Sequence, residues 1–156
     1  MPSFRLAGLD PAPFAPLFLL DDTALAARGM ARRFADADHG FPCRVSLQDA
    51  RRGDELLLLP YEHQPAHSPY RASGPILVRR DAHRRVLAPG EVPPYVTDRL
   101  ISLRAYDAAH LMIDAEVCGG SAVGDWLEAA FRRAEVACVH LHNARRGCYS
   151  CIAERT

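Results

Sequence analysis

From Cys43 to its end the chain consists mainly of short apolar or β-branched runs separated by turn-forming residues, and this pattern constrains the fold most strongly. Runs of this length, bounded by Gly, Pro, Asn and Asp, are typical of strands that follow one another in hairpins. Seven strands are therefore predicted, at residues 43–47, 55–63, 75–80, 101–107, 111–118, 136–142 and 149–154.

Two helices are predicted from local sequence signals. The longer covers residues 121–133, where Ser121 is a suitable N-cap and apolar residues recur at i, i+3, i+4, i+7 and i+8. A shorter helix is predicted to begin near Asp22 or Thr23, inside an otherwise irregular segment rich in Pro and Ala. The apolar residues of the longer helix are Val123, Trp126, Leu127, Ala130 and Phe131.

Many strands and few helices predict one α+β domain over residues 1–156, with a predominantly antiparallel sheet and one or two packed helices. Residues 1–40 are expected to form an irregular or helical N-terminal segment, and residues 41–156 the sheet-containing core. The sequence lacks the alternating pattern of a doubly wound fold and a glycine-rich nucleotide fingerprint.

The charge of the chain excludes several partners and cofactors. It has 19 basic and 19 acidic residues, so we expect neither nucleic acid nor an anionic membrane as a partner. No lysine is present, which rules out a Schiff-base lysine and a lysine-containing phosphate loop. No stretch approaches the ~20 apolar residues of a membrane helix, and the N-terminus does not resemble a signal peptide. We therefore expect a cytoplasmic protein with five free thiols.

The C-terminal segment 139–151 contains two metal-chelating spacings, His-x-His at His140 and His142 and Cys-x-x-Cys at Cys148 and Cys151. Alternate residues of a strand share a face, so both imidazoles point one way, whereas an extended Cys-x-x-Cys sends its thiols to opposite faces. A five-residue loop would place His142 opposite Cys148, and a four-residue loop would place His140 opposite Cys151. A zinc site with all four ligands requires a turn at 148–151. We therefore expect no cofactor, with zinc as the alternative.

The same segment offers a catalytic dyad if the five-residue loop forms. Cys148 would then lie beside His142 with Arg145 close by, an environment that favours a reactive thiolate. His142 is then the candidate base, Cys148 the candidate nucleophile, and Asn143 a residue that orients an imidazole or a ligand. The simpler interpretation is a buried hairpin in which these side chains only pack.

A second polar cluster lies in the proline-stiffened segment 61–73, which we expect to form one pocket with the 140–148 hairpin. The predicted function is to bind a small anionic ligand there through arginine side chains. The alternatives are a noncatalytic interaction module that forms a homodimer and a His/Cys metal-binding protein, and whether the protein is an enzyme stays open. The predicted ligand-binding residues are Tyr61, His63, Tyr70, Arg71, Arg104, His140, Asn143 and Arg145.

Four segments resemble a bacterial family catalogued as domain of unknown function 1203. They are residues 42–47, 61–75, 103–107 and 140–151, the last reading His-x-His-Asn-Ala-Arg-x-Gly-Cys-Tyr-x-Cys. The resemblance runs from about Phe41 to the end of the chain. It implies a single soluble bacterial domain, and it brings no activity, substrate or cofactor with it.

Overall fold

The computed structural model describes residues 3–156, and in this part of the chain ten strands form two five-stranded sheets. The first sheet has the order β1-β10-β9-β7-β8, and the second has the order β2-β5-β6-β3-β4. Neighbouring strands are antiparallel except β3 and β6, which pair in parallel. The strands are β1 Phe4–Ala7, β2 Ala31–Phe34, β3 Pro42–Cys43, β4 Gln48–Asp49, β5 Glu55–Gln64, β6 Ala72–Arg79, β7 Leu100–Tyr106, β8 Met112–Gly119, β9 Cys138–Asn143 and β10 Tyr149–Arg155.

The predicted α+β class is confirmed, and both predicted helices are present. The strands form two sheets rather than one, and β1 and β2 lie in the segment 1–40 that was expected to be irregular or helical, because each pairs with a strand distant in sequence. Helix α1 spans Asp22–Ala27, with Asp21 as its N-cap, because the Asp21 carboxylate accepts a hydrogen bond from the Ala24 amide at 2.8 Å. Helix α2, Pro94–Thr97, is a single turn that the sequence pattern did not indicate. Helix α3 spans Val123–Phe131 and buries its apolar stripe.

Helix α3 begins later than predicted, and Ser121 is not its cap. The preceding residues Gly120–Ala122 form a 3-10 turn, and the helix starts from Ala122 without a side-chain cap. The N-cap prediction was wrong because Gly120 is packed against backbone: a Cβ there would lie 2.0 Å from the Val96 carbonyl oxygen. That close packing fixes the chain before Ser121 can act as a cap.

The predicted strand 43–47 was wrong beyond Cys43. The chain turns at once, with the Leu47 amide bonded to the Cys43 carbonyl at 3.0 Å and a positive φ of 50° at Leu47. The backbone of this turn is buried and finds its partners elsewhere: Arg44 donates to Leu77, and Val45 accepts from Arg85. Because these partners come from distant segments, local propensity does not indicate the turn.

The hairpin formed by β5 and β6 extends into the segment predicted as a loop. Strand β5 continues to Gln64, which pairs with Ala72, and a bulge lies between Tyr61 and Gln64. The connection is therefore only residues 65–71. His63 therefore lies on a strand, within the predicted strand 55–63.

The hairpin formed by β9 and β10 changes register within a few residues. At the turn His142 is opposite Tyr149, and the Asn143 amide donates to the Cys148 carbonyl at 2.9 Å, as the four-residue loop requires. A bulge between Tyr149 and Cys151 then adds one residue, so that Ile152 rather than Cys151 is opposite His140. The bulge turns Cys151 to the face that packs with the core around α3.

The two faces of the first sheet differ in character. One face forms an apolar core with α3, in which Leu103, Leu127, Phe131 and Leu141 are all buried. The other face is turned toward the second sheet, and Tyr149 of β10 packs there in an apolar cluster with residues of β5 and β6. Arg104 of β7 and His140 and His142 of β9 share this inner face, between the sheets.

Candidate functional site

Three imidazoles meet where the two sheets face each other. His63 comes from β5 of the second sheet, and His140 and His142 come from β9 of the first. One ring nitrogen from each of the three lies within 4.8 Å of the others. The ring of His63 is edge-on to that of His142, with centroids 4.8 Å apart, and lies 6.3 Å from that of His140. The sequence period of two brings His140 and His142 to one face, and sheet packing adds His63.

Tyrosine rings enclose this histidine cluster. The Tyr149 ring stacks on His63 at 5.8 Å with an interplanar angle of 9°, and Tyr106 lies 4.8 Å from the ring of His140. Burial raises the pKa of both tyrosines, that of Tyr149 well above its ordinary value, so both remain neutral phenols. His140 and His142 are only 5% and 1% exposed. The enclosure therefore leaves the imidazoles of His140 and His142 largely out of water.

The hydrogen bonds of His142 fix its tautomer. Its Nδ1 lies 3.0 Å from the Gly147 carbonyl oxygen, which can only accept, so Nδ1 carries the proton. The lone pair is then on Nε2, and Arg104 Nη1 donates to it weakly at 3.4 Å. The Gly147 carbonyl thus holds the ring as backbone carbonyls hold metal-binding histidines in known sites.

Two further nitrogens of the cluster are buried without a partner. Nδ1 of His63 and Nδ1 of His140 make no hydrogen bond to any residue in the described part of the chain. A buried polar group left in this state typically costs about 1–3 kcal/mol. A bound ion or a small polar ligand would relieve that cost, so the orphaned nitrogens point to an occupant.

All three imidazoles are held in the neutral form. Desolvation, assisted by the positive charge of Arg104 and the neighbouring rings, lowers the pKa of His140 to about 4 and that of His142 to about 3. Desolvation also lowers the pKa of His63, with a smaller contribution from Arg104. Neutral imidazole is the form that binds metals, so the cluster is ready to coordinate without first losing protons.

Arg104 supplies a positive charge at this site. It lies on β7, is partly buried, and pairs with no carboxylate among residues 3–156. Its side chain contacts His142 instead. An uncompensated guanidinium beside neutral imidazoles favours an anion as part of whatever binds there.

The residues predicted from the 61–73 segment divide into two groups. Tyr61 contacts Tyr149 at a centroid distance of 5.8 Å, and Tyr70 contacts Tyr106 at 6.1 Å, so both lie around the histidine cluster. Arg71 is exposed and forms an ion pair with Glu62 at 3.3 Å. The structure thus brings this segment to the β9–β10 hairpin without Arg71.

The predicted dyad of His142 and Cys148 does not form in this geometry. Both ring nitrogens of His142 are directed at Gly147 and Arg104, so neither is hydrogen-bonded to Cys148 in the described residues. The Cys148 sulfur instead accepts from Arg44 Nη2 at 3.1 Å, with Asn143 Nδ2 4.0 Å away. The physical reason is the four-residue turn, which places Cys148 on the face opposite His142.

The alternative zinc site of two histidines and two cysteines is also not assembled. Cys151 is buried in the apolar core on the far side of the sheet, where burial raises its pKa to about 12. Cys148 and Arg145 lie together in a separate cleft. Of the described residues, the group of three or more suitable side chains that could hold a metal ion is His63, His140 and His142.

Arg44 is a functional candidate that sequence reasoning missed. It is 2% exposed, and it reaches across 105 positions to bond the Tyr149 carbonyl at 2.8 Å. It also bonds the Pro42 carbonyl at 2.6 Å. The local sequence does not indicate that Arg44 is buried, since a single arginine in a predicted strand is normally expected to be exposed.

Comparison with known families is consistent with the resemblance of the four segments. The model of a family described as a protein of unknown function (DUF1203) matches residues 40–155. No curated protein and no solved structure matches the chain. Within residues 3–156, none of the helices has the length and apolar character needed to cross a membrane.

Proposed function

The chain belongs to the DUF1203 family, and from the geometry of its histidine cluster we propose that it binds a divalent transition-metal ion, zinc in the first instance. The observation that carries the proposal is the convergence of His63, His140 and His142, with one nitrogen of each within 4.8 Å of the others. The depressed pKa values and the orphaned Nδ1 atoms support it.

The distances suit an ion of this size after a small adjustment. Zinc binds imidazole nitrogen at about 2.0–2.1 Å, so tetrahedral coordination places its ligand nitrogens roughly 3.3 Å apart. The nitrogens here would each need to move by about an ångström or less to reach that arrangement. Three histidines leave the fourth position open, which is the composition of catalytic rather than structural zinc sites.

The fourth position accounts for the predicted anionic ligand. The three imidazoles are neutral and the cluster includes no carboxylate, so a bound dication would keep its full charge. Arg104 would leave His142 Nε2 to the metal and pair with the ligand of the open position. We therefore infer that the metal-bound ligand is a small anion, such as hydroxide, a carboxylate or a phosphate.

The proposal is tested by titrating metal-free, tag-free protein with Co²⁺ and Zn²⁺. We expect one equivalent to bind, with the visible absorption of tetrahedral Co²⁺. Replacing His63, His140 or His142 by Ala should lower the affinity by roughly 100-fold or more, because the loss of an outer-shell partner alone costs about 10–100-fold. The control is His83→Ala, since His83 is exposed and lies outside the cluster.

Circular dichroism and chemical denaturation would establish that each variant is folded. If His140→Ala fails to fold, His63→Ala still tests the proposal, because His63 is only partly buried. Absence of stoichiometric metal binding in the wild type would overturn the proposal. Unchanged affinity in folded His63→Ala would do the same.

A further inference from the structure

A second candidate site lies on the other side of the β9–β10 turn. An open cleft of about 870 Å³ is lined there by the turn, the 98–100 segment and strands of the second sheet. None of the three histidines lines it. The proposed metal site and this cleft therefore share only the turn that separates them, and ligand binding in the cleft does not require a metal ion at the histidine cluster.

The polar lining of this cleft is mainly cationic. Five arginines contribute to it, with Asp98 as the single acidic residue in the lining. The charge of Arg99 is compensated by Asp49 at 2.6 Å, whereas Arg145 and Arg146 are exposed and have no acidic partner in the described chain. The arginines are Arg33, Arg44, Arg99, Arg145 and Arg146.

Arg44 makes the cleft more than a solvated basic surface. Its guanidinium is buried, and its hydrogen-bond acceptors are two backbone carbonyls and the Cys148 sulfur. None of these acceptors is a carboxylate. A buried charge without a counter-ion is unfavourable unless something else neutralises it. An anion bound in the cleft would supply the missing negative charge.

The remaining walls of the cleft are apolar. Leu58, Ile76 and Leu77 of β5 and β6 line it together with Leu100 and Phe41. Apolar walls beside a few well-placed charged groups are the usual composition of a small-molecule pocket. The ligand that fits both parts has an apolar body and an anionic head.

We propose that this cleft binds a small amphipathic anion, an organic carboxylate or a phosphate monoester, beside the Cys148 thiol. Arg145 and Arg146 hold the anionic head, the apolar body lies against Leu58 and Leu77, and Arg44 keeps the Cys148 sulfur at the edge of the bound ligand. The guanidinium fork suits both carboxylate and phosphate heads.

The first test uses a charged disulfide as the probe. In a Cys118→Ser/Cys138→Ser background, the Cys148 thiolate attacks 5,5′-dithiobis(2-nitrobenzoate). A mixed disulfide forms, thionitrobenzoate leaves, and the thiol proton passes to solvent. The rate of reaction with this anionic disulfide is divided by the rate with the uncharged 2,2′-dithiodipyridine. The second rate reports the intrinsic reactivity of the thiol, so the ratio reports the effect of the probe's charge. The remaining cysteines, Cys43 and Cys151, are buried.

Arg145→Ala/Arg146→Ala should lower this rate ratio by about tenfold, because two uncompensated charges are removed from the cleft. Arg51→Ala/Arg52→Ala removes the same charge from an exposed turn outside the cleft and should leave the ratio within about twofold of wild type. An equal ratio in all three proteins would overturn the proposal. Equal losses in the two double variants would also overturn it, because they would reflect general surface charge only.

The second test measures equilibrium binding of octanoate, phenyl phosphate and uncharged octanol by calorimetry. We expect the wild type to bind at least one of the two anions, and octanol at least tenfold more weakly. The Arg145→Ala/Arg146→Ala variant should lose that preference. Preference for octanoate would assign a carboxylate head, and preference for phenyl phosphate a phosphate head. Failure of both anions to bind would contradict the proposal even if the metal site is confirmed.

Discussion

Arg104 places a guanidinium 3.4 Å from the nitrogen through which His142 would bind a metal. A positive charge at that distance opposes a dication and attracts an anion, so the side chain has opposite effects on the two parts of the proposed site. Metal affinity and anion affinity can therefore be separated by changing this one residue.

Arg104→Gln should leave zinc affinity unchanged or raise it several-fold, because a repulsive charge is removed while all three imidazoles stay in place. The same change should weaken the binding of phosphate or acetate to the zinc-loaded protein. Both affinities are measurable by calorimetry, with Arg71→Gln as the control, since Arg71 is exposed and paired with Glu62. A loss of zinc affinity as large as that of His142→Ala would contradict the assigned role of Arg104.

The depressed pKa values of His140 and His142 predict how the stability of the metal-free protein depends on pH. In the unfolded chain both imidazoles bind protons below about pH 6.5, whereas in the folded protein they do so only near pH 4 and pH 3. The free energy of unfolding should therefore fall as pH decreases from about 6.5 to 4. The loss is on the order of 3 kcal/mol for each histidine.

This pH dependence is measured by urea denaturation at a series of pH values. His142→Asn should flatten the slope between pH 6.5 and 4 whether or not it lowers stability overall. His83→Asn should keep the wild-type slope, because His83 is exposed. A His142→Asn protein with the slope of the wild type would show that His142 is not held neutral in the folded state.

Among the secondary-structure elements, the β9–β10 turn connects both proposed sites. Gly147 supplies the carbonyl that orients His142, and the next residue, Cys148, bonds Arg44 in the cleft. Gly147 has a φ of 78°, in the left-handed region that side chains other than glycine rarely adopt. The conformation of one glycine therefore affects two functional groups.

Gly147→Ala should destabilise the protein by about 1 kcal/mol because of strain in the left-handed region. It should also weaken zinc binding and alter the rate at which Cys148 reacts with disulfides. Gly53→Ala is the matched control, because Gly53 also has a positive φ, 90°, and open space around it. It should show a similar loss of stability without either functional change. Equal zinc affinity in the two variants would show that the conformation of the turn does not affect metal binding.

Local patterns predicted most of the strands and helix α3, because hydrophobic period and turn residues act over a few positions. They also placed His140 and His142 on one face. The bulge after Tyr149 could not be predicted, since the extra residue at Ser150 does not visibly change the alternation of polar and apolar residues along the strand. That bulge decides that Cys151 joins the core instead of the site.

The turn that carries Arg44 could not be predicted either, because it depends on contacts between distant segments. Its backbone partners, Leu77 and Arg85, come from parts of the chain far away in sequence. The encounter of His63 with His140 and His142 likewise depends on how two separate sheets pack. Sequence reasoning placed these segments in one pocket from their polar residues, but the contacts themselves are tertiary.

For the molecule as a whole, the histidine cluster lies between two sheets that also meet through apolar packing and through polar contacts such as that of Arg44 with the Tyr149 carbonyl. A metal bound by His63 on one side and by His140 and His142 on the other would cross-link them. Zinc at 100 times its dissociation constant should raise the free energy of unfolding by about 2.7 kcal/mol. His63→Ala should lose this stabilisation, and His67→Ala, which removes an exposed imidazole from the neighbouring 65–71 connection, should retain it. Denaturation curves with and without zinc make the comparison.

Anomalous diffraction at the zinc edge, from crystals grown with zinc, would locate a metal ion held by the three histidines between the sheets. We expect one strong anomalous peak at about 2.0–2.1 Å from a nitrogen of each of His63, His140 and His142. A fourth ligand should face Arg104. Zinc peaks only at surface histidines or at Cys148, with the three imidazoles unligated, would contradict the proposed metal site.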